Sequence, residues 1–77
     1  MADALIELFS EVLEVPAQEL NDETSPDNTG QWDSLTAMHL VVAIESLFNV
    51  TFSTKEIKRM SNIGLVRQVL QEKNVNV

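Results

Sequence analysis

Asp33-Ser34-Leu35 places a hydroxyl between a polar loop and the most apolar helical stretch of the chain. A serine at that point can accept a covalently held group. At the first turn of a helix the backbone N–H groups lack partners and the macrodipole is positive, so a phosphate attached to Ser34 is favoured there. The same serine can also be an ordinary cap or first-turn residue. Other chemistry has little to work with. The chain has no Cys and a single histidine, His39, which excludes thiol chemistry and a His/Cys metal cluster of the usual spacing. Ser34 and His39, five residues apart on one helix, point about 140° away from each other, so they form no nucleophile and base dyad. Neither a catalytic residue nor a metal site is expected.

The elements that must position Ser34 are readable from period and punctuation. Leu5, Leu8, Phe9, Val12 and Leu13 recur at helical spacing opposite Asp3, Glu7, Glu11 and Glu14, which predicts an amphipathic helix 1 over about 3–15, stopped near Pro16. A loop over 16–32 follows, and its stretch from Asn21 to Gln31 is rich in turn residues. As a calcium loop with Gly30 at the sixth position it would offer Ser25 first and Thr36 twelfth, where that site needs acids, so the calcium reading fails.

Helix 2, over about 34–48, has Asp33 as its expected cap. Leu40, Ile44, Leu47 and Phe48 make a sufficient core stripe, and Leu35, Met38 and Val42 make a second one. Either the helix is buried on most sides or the second stripe is offered to a ligand or partner. Ser53 and Glu56 form a capping-box pattern for a short helix 3 over about 54–60. Ser61 or Asn62 then opens helix 4, over about 62–73, with Ile63, Val66, Val69 and Leu70 inward and Gly64 in the first turn, where glycine costs least. The expected fold is an all-α four-helix bundle, one domain over 1–77, with a long first loop and a short third helix.

Composition narrows the function. A chain of 77 residues buries roughly 60% of its unfolded surface, enough for a small core but not for a core and an enclosed catalytic cleft. A net charge of −7 argues against nucleic acid, which needs a basic footprint. The charge is also uneven: nine acids and no Lys or Arg precede Ser34, while Lys55, Lys58, Arg59, Arg67 and Lys73 all lie in the last third. The acidic part is expected to attract basic partners, or simply to keep the chain solvated. With no apolar stretch of transmembrane length and no basic-then-apolar leader, a cytoplasmic, free-standing protein is expected.

The order of amphipathic helix, long polar loop, Trp32-Asp33-Ser34-Leu35, apolar helix ending Ile44-Glu45-Ser46-Leu47-Phe48-Asn49-Val50, short third helix and amphipathic fourth resembles an acyl carrier protein over residues 3–73. That resemblance implies a 4′-phosphopantetheine arm, transferred from coenzyme A to Ser34 by a phosphopantetheinyl transferase that uses magnesium, and an acyl group held on the arm as a thioester. The working thiol is then imported. By the same resemblance Asp33 helps the transferase recognise the serine, and Leu35, Met38 and Val42 contact partners near the base of the arm. Acyl-loading, synthase or transferase enzymes are the implied partners of a monomeric carrier. In many members the acyl chain slips between helices 2 and 3, with which the second stripe of helix 2 is consistent.

The pattern departs from fatty-acid carriers where Thr36 and His39 replace the usual acids, leaving Glu45 as the only acid of helix 2. A specialised pathway is therefore expected, serving polyketide, secondary-metabolite or polysaccharide synthesis in preference to fatty-acid synthesis, and His39 is read as an exposed interface residue. Trp32 is either a loop anchor or a residue flanking the arm. Two other readings share the fold: a peptidyl or aminoacyl carrier, and an acidic helical adaptor without a prosthetic group.

Overall fold

In a computed structural model, residues 3–77 are described; Met1 and Ala2, the start of the expected domain, lie outside them. Four α-helices follow one another: α1 (Ala4–Leu13), α2 (Ser34–Phe48), α3 (Thr54–Arg59) and α4 (Ile63–Glu72), with a short 3₁₀ turn at Ala17–Glu19. The described residues contain no strand, and the fold is all-α.

Each boundary has a local cause. Asp3 caps α1 by accepting from the N–H groups of Leu5 and Ile6. The helix stops at Leu13 because Glu14 adopts the left-handed conformation (φ 58°) and closes the last turn onto Ser10. This is two residues short of the expected end, and Pro16 only follows a helix that has already been terminated. Asn49 (φ 54°) ends α2 in the same way, and Asn tolerates that conformation better than most residues. The Ser53 and Glu56 capping box is complete, and Asn62, not Ser61, caps α4 through the Leu65 N–H.

The core is built from Leu5, Phe9 and Leu13 of α1, Leu40 and Ile44 of α2, and Ile63, Val66, Val69 and Leu70 of α4, joined by Leu20, Trp32 and Phe52 from the connections. One expectation for α2 is corrected. Leu47, placed in the core stripe, is 55% exposed, and Phe48 only packs at the core's edge. The buried arc is narrow and centred near Ile44, so Leu47, about 60° round the helix from it, falls on the rim.

The long loop is tied down at several points. Thr24 is buried, and its hydroxyl accepts from the Asn21 N–H. The Thr24 and Asp22 carbonyls accept from the N–H groups of Ile63 and Gly64, at 3.0 and 2.8 Å. The loop thereby satisfies donors that α4 leaves unpaired at its start. Gly64 is needed for this approach, since a Cβ there would lie 3.0 Å from the Asp22 carbonyl oxygen. Arg67 reinforces the junction, its guanidinium reaching Asp3 at 2.8 Å and Asp22 at 3.0 Å.

Candidate functional site

Ser34 is the first residue of α2, and it is exposed. Capping falls to its neighbour: Asp33 Oδ1 accepts from the Thr36 N–H at 2.9 Å and from the Thr36 hydroxyl at 3.0 Å. Those bonds hold the Asp33 carboxyl below the ordinary carboxylate value, the N–H of Thr36 being the larger cause and its hydroxyl the next. Among the described residues no hydrogen bond engages the Ser34 hydroxyl. Asp33 therefore does the structural work, which leaves the serine oxygen uncommitted at the positive end of a fifteen-residue helix. An attached phosphate suits such a position, because the first N–H groups of a helix have no backbone partner within it and the macrodipole is positive there.

The same helix presents an apolar outer face. Leu35, Met38 and Val42 are 68%, 66% and 64% exposed. With His39, also exposed, they fall within an arc of about 100°. This resolves the two sequence readings of the second stripe in favour of exposure. It also corrects the link drawn from that stripe to an acyl path between α2 and α3: the half-open pocket that these helices border is lined by Ala37, Leu40, Val41 and Ile44 of α2 and by Ile57 of α3, and by none of the outer three.

Electrostatics on this face are sparse. Glu45, the only acid of α2, accepts from the Phe52 N–H at 2.8 Å and so fixes the connection into α3. Arg59 pairs with Glu72 and Lys73 with Glu56, whereas Lys55 and Lys58 make no ion pair among the described residues. Thr36, read in the sequence as a departure from the acids usual in fatty-acid carriers, bonds Asp33 through both its N–H and its hydroxyl. No pattern in the letters separates this role from that of a solvent-facing threonine.

Trp32 is 6% exposed and packs against Phe9, the two rings tilted by 56° with centroids 5.2 Å apart. It is the loop anchor, and it also lines the depression that contains Ser34. No group of acids and histidines among the described residues could hold a metal ion.

Comparison with known proteins bears on the family of the chain. The family model described as "Phosphopantetheine attachment site" matches residues 3–70. An acyl carrier protein of Syntrophus aciditrophicus (strain SB) is 33% identical over 75 residues, covering 97% of this chain and 94% of that protein. The solution structure of a holo acyl carrier protein from Geobacter metallireducens superimposes with a TM-score of 0.74 at 26% identity, covering 97% of this chain and 92% of that one.

Proposed function

We propose a function from one premise: the chain belongs to the acyl carrier protein family, whose members are carriers rather than catalysts and bear a 4′-phosphopantetheine group. In this reading the arm is attached at Ser34. The observation that carries it is the exposed Ser34 hydroxyl at the start of α2, relieved of capping by Asp33. When bound, the group supplies a terminal thiol that holds an acyl cargo as a thioester.

Ser34 Oγ acts as the nucleophile of a phosphopantetheinyl transferase. It forms a bond to the phosphorus next to the pantetheine of coenzyme A, the bond from that phosphorus to the oxygen of adenosine 3′,5′-bisphosphate breaks, and the serine proton passes to a base of the transferase. Asp33 is a carboxylate throughout the neutral range, its hydrogen bonds with Thr36 holding its pKa down. Its Oδ2 stands outside those bonds and offers the transferase an acceptor beside the nucleophile. Leu35, Met38, His39 and Val42 form the docking face for the transferase and for acyl-loading and synthase enzymes.

Because the lone acid of α2 is engaged with Phe52, encounters on this face gain little from electrostatic steering and depend on apolar contact. That favours a specialised polyketide, secondary-metabolite or polysaccharide pathway. The carrier acts as a cytoplasmic monomer; among the described residues no helix is long and apolar enough to cross a membrane.

Incubation with coenzyme A, magnesium and a broad-specificity phosphopantetheinyl transferase should raise the intact mass by one phosphopantetheinyl group, and leave Ser34→Ala unchanged. A folded, unmodified chain that gains nothing would contradict the reading and favour an adaptor that binds through the α2 face. Loading of the thiol by an adenylating enzyme with an amino acid, and by no acyltransferase, would make the protein an aminoacyl carrier.

A further inference from the structure

The charges of α3 divide into two sets. Glu56 pairs with Lys73 at 2.9 Å and Arg59 with Glu72 at 2.7 Å, which marks the side of α3 that faces α4. Lys58 lies about 100° or more round the helix from both Glu56 and Arg59, and Lys55 lies about 60° from Lys58. Both lysines are exposed, and neither makes an ion pair among the described residues. The outer side of α3 is therefore cationic.

Ile57 joins that side to α2. It is 42% exposed and borders the half-open pocket together with Val41 of α2. Met38 is three residues before Val41, so the two are neighbours on the helix surface. The exposed face of Leu35, Met38 and Val42 thus continues across the rim of the pocket to Ile57 and the lysines beside it. No free acid of α2 offsets them: Glu45 is half-buried and commits an oxygen to the Phe52 N–H. Nine acids are concentrated before Ser34 instead.

A docking surface has an apolar centre and a polar rim, and the charges across that rim set encounter rate and partner choice more than affinity. We propose that the enzyme surface that fits this carrier is apolar where it meets Leu35, Met38, Val42 and Ile57, and acidic where it meets Lys55 and Lys58. A partner with a basic rim at that place is rejected by like charge. This inference rests on the reading of the α2 face as the place where enzymes dock, and it gives that face the sign of its partner.

The test measures initial rates of phosphopantetheinyl transfer from coenzyme A, followed by intact mass, with a transferase whose carrier-binding surface is basic. The natural chain is compared with a variant carrying Lys55→Glu, Lys58→Glu, Glu7→Lys and Glu11→Lys. All four positions are exposed, and the exchanges cancel, so the net charge stays at −7. At about 0.02 M salt the variant should be modified about tenfold faster, and at about 0.5 M salt the two should agree within about twofold. The same transferase with its rim lysines and arginines exchanged for glutamate should reverse the order. Glutamine at the same four positions also keeps the charge and should give the same trend with a smaller rise, should the first variant not fold.

Equal rates at low salt would overturn the proposal, because α3 would then have no part in the encounter. So would a difference that persists at high salt, which would not be electrostatic. A natural chain that sediments as a dimer, and as a monomer once Lys55 and Lys58 are exchanged, would make a second copy of the chain the occupant of this face and overturn the proposal as well. If no form accepts an arm at Ser34, it is the attachment reading that fails.

Discussion

Asp33 and Ser34 divide between them two tasks that one helix-start residue often combines. Asp33 takes the N–H and the hydroxyl of Thr36, while the exposed Ser34 is the residue proposed to carry the arm. The division predicts opposite consequences of two alanine substitutions. Asp33→Ala should lose about 1 kcal/mol of stability, as a missing cap does, and Ser34→Ala much less than that. Urea unfolding midpoints check the difference, and a larger loss for Ser34→Ala would make that serine structural. The placement of Ser34 at a helix start was legible from Asp33-Ser34-Leu35, because the signal is local. The tie from Thr36 to Asp33 was not, since a threonine two residues into a helix reads the same whether it bonds the cap or faces water. The tie made by Glu45, read in the sequence only as the lone acid of helix 2, was no more legible. Its bond to the Phe52 N–H joins residues seven apart, and only the turn at Asn49 brings them together.

Periodicity and punctuation were enough for the all-α fold, because helix caps and apolar spacing are short-range signals. The capping box of α3 and the inward set of α4 are examples. Edges of a buried face are set by neighbours, which is why Leu47 was misplaced. Ile44, fully inside the bundle, should lose about 2–5 kcal/mol on truncation to alanine, whereas Phe48→Ala, at the core's edge, should cost less than about 3 kcal/mol. Chemical denaturation of the two variants measures this; equal losses would mean that α2 is rotated relative to the described packing. Gly64 shows the same limit of local reading. Alanine is ordinarily about 1 kcal/mol better than glycine in a helix. Here its Cβ would press on the backbone oxygen of Asp22 at 3.0 Å, so Gly64→Ala should instead destabilise, by about 1 kcal/mol once overpacking and propensity are combined. A stabilised Gly64→Ala variant would show that the loop yields at no cost.

Across the whole molecule, the acidic first part and the basic last third that are separate in sequence are joined in space. Arg67 bridges Asp3 and Asp22, and nothing in linear charge counts predicts which of the acids it meets. The carboxyls engaged in caps and pairs titrate low. Asp33 and Glu56 are held down first by backbone N–H bonds from Thr36 and Ser53, and Glu72 first by the Arg59 hydrogen bond. Partial burial pushes Asp3 upward, but the Arg67 bond and the N–H groups of Ile6 and Leu5 outweigh it. Groups depressed in the folded state stabilise it above their unfolded values and lose that contribution as pH falls through the folded ones. In about 0.5 M salt, where the self-repulsion of a chain of net charge −7 is screened, the melting temperature should hold from neutrality downward. It should then fall as the pH passes below the ordinary values of 4.5 and 3.8; a flat profile to pH 3 would contradict these ties.

The central claim, that this carrier bears its arm on Ser34, is tested most directly by fragmentation mass spectrometry of the chain after reaction with coenzyme A and a phosphopantetheinyl transferase. The account predicts a single phosphopantetheinyl group, located on the fragment containing Ser34 and absent from Ser34→Ala. A group on any other serine, or one still present in Ser34→Ala, would contradict it.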